Sequence, residues 1–143
     1  MVEIRKIVVG NDGSDHSIRA LQTAIAIARP LGAELEIVHV SHLPVTFYAA
    51  AFETPIDLGQ QMEALRKEAE ARAQQVLDEA GVQAKMVTLD GNPADALLEY
   101  ADRSGADMIV VGSHGAGAIE RFLLGSTSDR IVHHARCPVL VVR

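Results

Sequence analysis

Glycine and hydroxyl residues are concentrated in one segment, from Gly112 to Thr127, which also places a histidine between its first two glycines. Glycines allow the chain to turn so that successive backbone N–H groups point at one anion. Gly125 and Ser126 stand at the start of a predicted helix, where unpaired N–H donors and the helix dipole also favour an anion. The hydroxyls of Ser126 and Thr127 can add hydrogen bonds. The segment therefore predicts phosphate binding.

Each glycine of this segment has an expected role. We expect Gly112, directly after a strand, to let a ligand approach the backbone, because a side chain there would hold the ligand away. Gly115 and Gly117 are expected to adopt positive φ and to form an anion-binding nest. The plainer alternative is a glycine-bearing connection between a strand and a helix with an ordinary serine cap. Glycines at several separated positions favour the phosphate site.

The elements that must position this segment alternate along the chain. Apolar runs predict strands over residues 4–9, 34–40, 84–89, 107–111 and 138–143. Helical periodicity, caps and terminal glycines predict helices over residues 14–31, 56–80, 93–103 and 126–135. Strands that are apolar throughout are typical of a parallel sheet covered by helices. The sequence therefore predicts the α/β class, with a doubly wound open parallel five-stranded sheet and helices on both faces.

The strand order decides which loops meet. An order of 3-2-1-4-5 places strands one and four side by side, and the connections that follow them diverge. The loop Gly10–Gly13 and the first part of the glycine segment, Gly112–Gly117, would then flank one crevice at the carboxyl ends of the strands. This order is inferred from general rules for such sheets.

Length and composition exclude several classes of protein. The 143 residues correspond to a single domain, 1–143, and the one cysteine, Cys137, excludes an internal disulfide. The net charge of −6 argues against a nucleic-acid partner, and no apolar run is long enough for membrane insertion. The N-terminus has no signal-peptide pattern. We therefore expect a cytoplasmic protein.

Three further regions carry structural, interaction or metal-site hypotheses. The segment Ser41–Pro55 contains Phe47, Tyr48 and Phe52, and it is interpreted either as a lid or partner contact or as a loop packed on its own domain. The charged helix predicts i,i+4 ion pairs between Glu63 and Lys67 and between Glu68 and Arg72. Near the C-terminus, His133, His134 and Cys137 predict no metal site, because adjacent helical histidines point in different directions.

The combined pattern resembles the universal stress protein family. The similarity lies in Gly112-x2-Gly115-x9-Gly125-Ser126, in the final run from His134 to Val142, and in Asn11-Asp-Gly-Ser14 after the first strand. It covers essentially the whole chain. The glycine pattern is typical of the ATP-binding branch of that family, so the resemblance implies a Rossmann-like, adenine nucleotide alpha hydrolase-like fold and an ATP ligand, with Mg²⁺ as a further possibility.

The resemblance also implies a set of nucleotide-binding residues and a mode of assembly. The phosphates and ribose are expected on Val111, Gly112, Gly115, Gly125, Ser126 and Thr127. The adenosine end is expected on Gly10, Asp12 and the backbone of Val40. The same resemblance implies a homodimer through the last strand, Pro138–Arg143, with scope for a higher oligomer and for an unknown protein partner. An apolar edge strand also favours such pairing.

Other functions are less well supported by the motifs. The sequence lacks the Gly-x4-Gly-Lys-Ser/Thr pattern of P-loop enzymes, and Val111 replaces the first glycine of a hydrolase nucleophile elbow around Ser113. A slow ATPase or phosphotransferase remains an alternative, with His114 as the one nearby acid–base candidate. A flavin carrier of the same fold class is a further hypothesis. Asp12, as an alternative to binding a ligand, could bond its own loop.

Overall fold

The computed structural model describes residues 2–42, 57–114 and 124–143, and their strands form one five-stranded sheet. The strands are β1 (Lys6–Gly10), β2 (Glu34–Ser41), β3 (Lys85–Asp90), β4 (Met108–Gly112) and β5 (Val139–Val142). All neighbouring strands are parallel, and their order is β3-β2-β1-β4-β5. The predicted fold class and strand order are confirmed. The aromatic residues predicted as a lid or contact lie outside the described residues.

The described residues between these strands form four helices: α1 (Asp15–Leu31), α2 (Leu58–Ala80), α3 (Pro93–Ser104) and α4 (Ser126–His134). The first three begin after a residue whose side chain accepts a backbone N–H, namely Ser14, Asp57 and Asn92. The predicted ends differ from these bounds by one or two residues, because a cap residue lies outside the helical hydrogen bonds. None of the four described helices is long and apolar enough to cross a membrane.

The sheet separates two apolar cores, and alternate residues of each strand enter opposite ones. In β1, Ile7 and Val9 pack under α1 and α2, whereas Val8 packs under α3 and α4. All three side chains are fully buried. Burial on both faces requires an apolar residue at every position, which explains why the strand has no polar alternation.

The helix α2 packs mainly through small residues. Its periodicity places one face over Met62, Leu65, Ala69, Val76 and Leu77, and Ala69 and Leu77 of that face are buried. Its buried side chains are Ala69, Ala73 and Leu77. Leu65, which was predicted to lie on the buried face, is 37% exposed. The helix is in contact with the β1–α1 loop at Ala69, whose Cα would lie 3.4 Å from a Cβ on Gly13. Alanine permits this close approach, and a larger side chain there would separate the helix from the loop.

Candidate functional site

The loop between β1 and α1 is built around the side chain of Asn11, which is 5% exposed. Its amide nitrogen donates to the carbonyl of Ala69 in α2 at 2.9 Å, and its backbone N–H donates to the carbonyl of Val38 in β2 at 2.8 Å. The amide oxygen accepts from the N–H of Gly13 at 3.1 Å and from the hydroxyl of Ser17 at 3.2 Å. Asn11 therefore ties the end of β1 to β2, α1 and α2.

Asp12 lies on the exposed side of the same loop. One carboxylate oxygen accepts from the backbone N–H of Ser14 at 2.9 Å, which is an Asx turn. The hydroxyl of Ser14 in turn accepts from the N–H of Ser17 at 3.2 Å and caps α1. The bond between Asp12 and its own loop, which the sequence allowed as an alternative to ligand binding, is thus present in the structure.

Arg72 of α2 braces this loop from the side. Its guanidinium donates to the carbonyl of Gly13 and to the carboxylate of Asp15, the latter at 2.8 Å. The hydrogen bond and positive charge of Arg72 hold the pKa of Asp15 below its usual value. The predicted pair between Glu68 and Arg72 is wrong, because the guanidinium points across to the loop instead. The predicted pair between Glu63 and Lys67 is present, with 4.0 Å between charged atoms.

The end of β4 approaches the first turn of α1 very closely at Gly112. A Cβ on Gly112 would lie 2.7 Å from the Cβ of His16 and 2.8 Å from its backbone carbonyl carbon. Only glycine fits this contact without moving the helix. The hydrogen of Gly112 that a side chain would replace therefore faces α1. The close approach that the sequence predicted for a ligand is made here by the helix.

Ser113 follows Gly112 and joins three elements through its backbone. Its N–H donates to the carbonyl of Val142 in β5 at 2.7 Å. Its carbonyl accepts from the N–H of Gly125 at 2.7 Å and from the hydroxyl of Ser128 at 2.8 Å. The start of α4 is therefore held directly against the end of β4.

The side chain of Ser113 lies between two histidines. Its hydroxyl oxygen is 3.2 Å from Nδ1 of His16 and 3.1 Å from Nδ1 of His114. The two imidazole rings meet edge to face, with centroids 5.5 Å apart and planes at 60°. Nε2 of His114 is buried and has no hydrogen-bonding partner within the described parts of the chain. It is the one buried side-chain nitrogen or oxygen of those residues in this condition.

The start of α4 offers unsatisfied donors to the same place. Gly125 is the N-cap of this helix and supplies no side chain, so the first N–H groups lack the cap that the other described helices have. Among the residues that the structure describes, the hydroxyls of Ser126 and Thr127 bond no other group. Ser128 differs, because its buried hydroxyl donates to the carbonyls of Ser113 and Gly125. The helix start can therefore bind an anion through its backbone and two hydroxyls.

Strand pairing brings most of the predicted site residues to one edge of the sheet. Gly10 ends β1, Val40 lies near the end of β2, and Val111 and Gly112 end β4. Gly10 is paired with Val38, and β4 lies on the other side of β1. The predicted position Gly115 lies outside the described residues. The edge therefore unites the ends of three strands, and the start of α4 joins it through Ser113.

The connections that follow β1 and β4 lead to opposite faces of the sheet, so this edge has the geometry of a topological switch point. A family model described as the universal stress protein family matches residues 3–143. The chain belongs to the universal stress protein family. The resemblance drawn from the glycine pattern is thereby confirmed.

Three known universal stress proteins match this one over almost their full length. A universal stress protein of Thermus aquaticus is 40% identical over 146 residues, which cover 97% of this chain and 98% of that protein. The structure of UspA from Lactobacillus plantarum superposes with a TM-score of 0.81 at 26% identity and covers both chains completely. A universal stress protein in complex with cAMP has a TM-score of 0.66 and 32% identity, with 99% of this chain and 98% of that chain covered.

Three residues of this universal stress protein have roles at the site that the sequence did not predict. His16 reaches Ser113 from α1, Asn11 organises the β1–α1 loop, and Ser128 holds the start of α4. The signal for Asn11 was its place directly after an apolar strand, where a polar residue becomes buried when helices cover both faces. Nothing local in the sequence marks His16 as a neighbour of Ser113, since 97 residues separate them.

Proposed function

We propose that this universal stress protein binds an adenine nucleotide, with ATP as the working ligand, at the carboxyl edge of β1 and β4. The phosphates lie at the start of α4, on Gly125, Ser126 and Thr127, with Gly115 completing the nest. A helix start is a ready anion site, because its first N–H groups have no partner within the helix. The universal stress protein of 32% identity that was crystallised with cAMP supports an adenine nucleotide as the ligand.

The observation that carries the proposal is the difference between adjacent hydroxyls at the start of α4. The hydroxyl of Ser128 is buried and bonded within the protein. Those of Ser126 and Thr127 have no partner among the described residues, although they stand beside uncapped N–H donors. Two unsatisfied hydroxyls and a set of unsatisfied N–H groups at the same helix start suit a phosphate.

The adenosine end of the ligand lies on the β1–α1 loop in this proposal. Gly10, Asp12 and the backbone of Val40 contact the base and ribose, while Val111 and Gly112 pass beneath the ribose and phosphates. The Asx turn at Asp12 uses one carboxylate oxygen on its own loop, and the residue remains exposed at the edge of the sheet. Self-bonding and ligand binding are therefore compatible roles for this carboxylate.

The nucleotide state acts, in our proposal, through a homodimer and a protein partner in the cytoplasm. The dimer forms by pairing of β5, which lies at one edge of the sheet. Among the described strands, its one neighbour is β4. An apolar edge strand with unpaired backbone groups tends to pair with another chain. Ser113 links the proposed phosphate site to β5, because its N–H bonds the carbonyl of Val142.

Calorimetric titration with ATP, ADP, AMP and cyclic AMP, with and without Mg²⁺, tests the ligand. The informative variant is the double substitution Ser126→Ala with Thr127→Val, which removes both unpartnered hydroxyls. We expect it to weaken ATP binding by about tenfold or more, since each lost bond goes to a charged group. Its free energy of unfolding without ligand should stay within about 0.5 kcal/mol of the parent protein.

Ser128→Ala is the matched control, because it removes a neighbouring hydroxyl that bonds the protein itself. We expect this variant to lose about 1 kcal/mol or more of stability. Unchanged ATP affinity in the double variant would move the phosphates away from α4. Absence of binding by the parent protein to all four nucleotides would refute the proposed function.

A further inference from the structure

We propose that the side chain of His114 is a phosphate-recognition group of the nucleotide site, with Nε2–H donating to a phosphate oxygen. This inference rests on the proposed function and adds a side-chain donor to a site otherwise described by backbone groups and hydroxyls. It also gives the pair of His16 and Ser113 a role, which is to set the protonation pattern of the His114 ring.

The first observation is the unsatisfied nitrogen itself. His114 is 8% exposed, and within residues 2–42, 57–114 and 124–143 its Nε2 has no partner. Buried polar side-chain atoms nearly always have a hydrogen-bonding partner, and an exception requires an explanation. The other ring nitrogen, Nδ1, is bonded to the hydroxyl of Ser113 at 3.1 Å. A ligand that supplies the missing partner for Nε2 explains why this nitrogen is left without one.

The second observation is the position of the ring. Cδ2 of His114, the carbon bonded to Nε2, would lie 3.7 Å from a Cβ on Gly125. The Cδ2 side of the ring therefore lies beside Gly125, the N-cap of α4, and the first N–H groups of that helix are uncapped by any side chain. A ring N–H and helix N–H groups are all donors and cannot satisfy one another. In the proposed site, a phosphate at the helix start and beside the ring accepts from both sets.

The hydroxyl of Ser113 links the protonation states of the two histidines. It can donate its single hydrogen to one Nδ1 and must accept from the other. If Ser113 donates to His114, the neutral His114 ring carries its hydrogen on Nε2, and His16 donates from its own Nδ1. If Ser113 donates to His16, Nε2 of His114 is a bare acceptor. A phosphate ligand favours the first arrangement, because it offers only acceptor oxygens.

The sequence around the site makes such a donor useful. No lysine occurs between Gly112 and Thr127. Nucleotide sites of the P-loop class use a lysine to contact the phosphates, and this chain has an imidazole within its glycine segment instead. His114 therefore distinguishes phosphorylated ligands from adenosine, because adenosine has no phosphate oxygen to accept the hydrogen bond from Nε2–H.

Two substitutions separate the hydrogen bond from the volume of the ring. His114→Phe keeps an aromatic ring and removes both nitrogens, whereas His114→Gln keeps an N–H donor at a position similar to Nε2. We expect His114→Phe to weaken ATP and ADP binding by about tenfold to a hundredfold and to leave adenosine affinity within about twofold. His114→Gln should retain more of the ATP affinity than His114→Phe. Equal losses for ATP and adenosine, or no loss for ATP, would overturn the proposal.

Nitrogen NMR of the imidazole rings tests the same claim without any substitution. In ¹⁵N-labelled protein, saturation with ATP should place the ring hydrogen of His114 on Nε2. The ¹⁵N resonance of Nε2 should shift as a result. Adenosine should not produce this shift. His133, which lies at the far end of α4 and bonds the carbonyl of Asp129, is the internal control and should be unaffected. An Nε2 resonance that ATP leaves unchanged would refute the role of His114.

The two proposals fail in different ways. If the protein binds ATP and adenosine but neither His114 variant nor the NMR spectrum distinguishes them, the nucleotide site stands and the role of His114 is wrong. If the protein binds neither ligand, the proposed function is wrong and the inference falls with it.

Discussion

Gly112 at the end of β4 and His16 in the first turn of α1 are in such close contact that a Cβ on Gly112 would lie 2.7 Å from the Cβ of His16. Real Cβ atoms do not approach one another so closely, so the glycine is required by the packing of a helix on a strand. The same contact places His16 beside Ser113, at 3.2 Å from its hydroxyl oxygen. Gly112 is thus a structural requirement of the site before any ligand is considered.

Gly112→Ala should therefore destabilise the protein even without nucleotide. Overpacking of a tight site costs about 1–3 kcal/mol, because the neighbouring backbone must move. Urea unfolding of the ligand-free protein measures the loss. Gly59→Ala is the matched control, since its Cβ would meet only the carboxylate of Asp57, at 3.3 Å. That variant should remain within about 1 kcal/mol of the parent protein. Equal stability of both variants would contradict the packing argument.

Asn11→Asp should be strongly destabilising although it changes a single atom of the side chain. The substitution replaces the amide donor to Ala69 with an acceptor and buries a carboxylate. The expected loss is about 2–4 kcal/mol in urea unfolding at neutral pH, and it should shrink at acidic pH, where protonation removes the charge. Asn92→Asp is the control, because Asn92 is an exposed N-cap and aspartate caps a helix equally well. A mild effect of Asn11→Asp would show that the loop tolerates rearrangement.

Glu36 gives the stability of the protein a defined dependence on pH. This carboxylate, 6% exposed, accepts from the hydroxyl of Tyr100 at 2.6 Å and lies 3.3 Å from the ammonium of Lys6. Burial raises the pKa of Glu36, but the bonds from Tyr100 and Lys6 outweigh it, so the pKa lies below the usual 4.5. Burial and the bond to Glu36 in turn raise the pKa of Tyr100 to about 12.

The lowered pKa of Glu36 predicts a loss of stability in acid. A carboxylate with a lower pKa in the folded than in the unfolded state stabilises the fold above its unfolded pKa and loses that effect as pH falls. At neutral pH, Glu36→Gln should be less stable than the parent protein by about 1–3 kcal/mol. The difference should shrink as the pH falls from about 6 to about 3. Glu34→Gln, at an exposed position of the same strand, should show no such trend. A difference that does not depend on pH would refute this account of Glu36.

The proposed dimer predicts that β5 is sensitive to proline. The carbonyls of Pro138 and Val142 accept hydrogen bonds from Ile109 of β4 and from Ser113, which follows it. By the alternation of a parallel strand, the N–H of Val141 therefore faces the open edge. Val141→Pro should remove that donor and yield a monomer in light scattering. Val141→Ala loses similar packing but keeps the N–H, and it should remain a dimer. A dimer in the proline variant would place the interface elsewhere.

Much of the fold could be predicted from the sequence because its signals are local. The apolar run of β1 requires cover on both faces, and Ser14 begins α1 because its hydroxyl accepts an N–H three residues ahead. The glycines that end α1, α2 and α3 adopt positive φ, as terminal glycines commonly do. Leu65 of α2 shows the limit of this approach. Periodicity placed it on one face with Ala69 and Leu77, which are buried, whereas Leu65 is 37% exposed.

The candidate site was predictable in its location but not in its internal bonds. The hydroxyls of Ser126, Thr127 and Ser128 look equivalent in the sequence, yet Ser128 alone among them turns inward to the carbonyl of Ser113. Arg72 appeared to pair with Glu68 one turn earlier in its helix. It reaches Asp15 instead, 57 residues away, because α2 packs beside the β1–α1 loop.

By itself, the sequence determined that this chain forms alternating strands and helices with a glycine-rich segment after the fourth strand. These features depend on backbone conformation and on apolar periodicity, which a few neighbouring residues decide. The tertiary structure alone decided that His16 and Ser113 meet, that His114 keeps an unpartnered Nε2, and that Gly112 faces α1. Such contacts join residues far apart in the chain, and they form only where the packing of helices on the sheet brings particular side chains together.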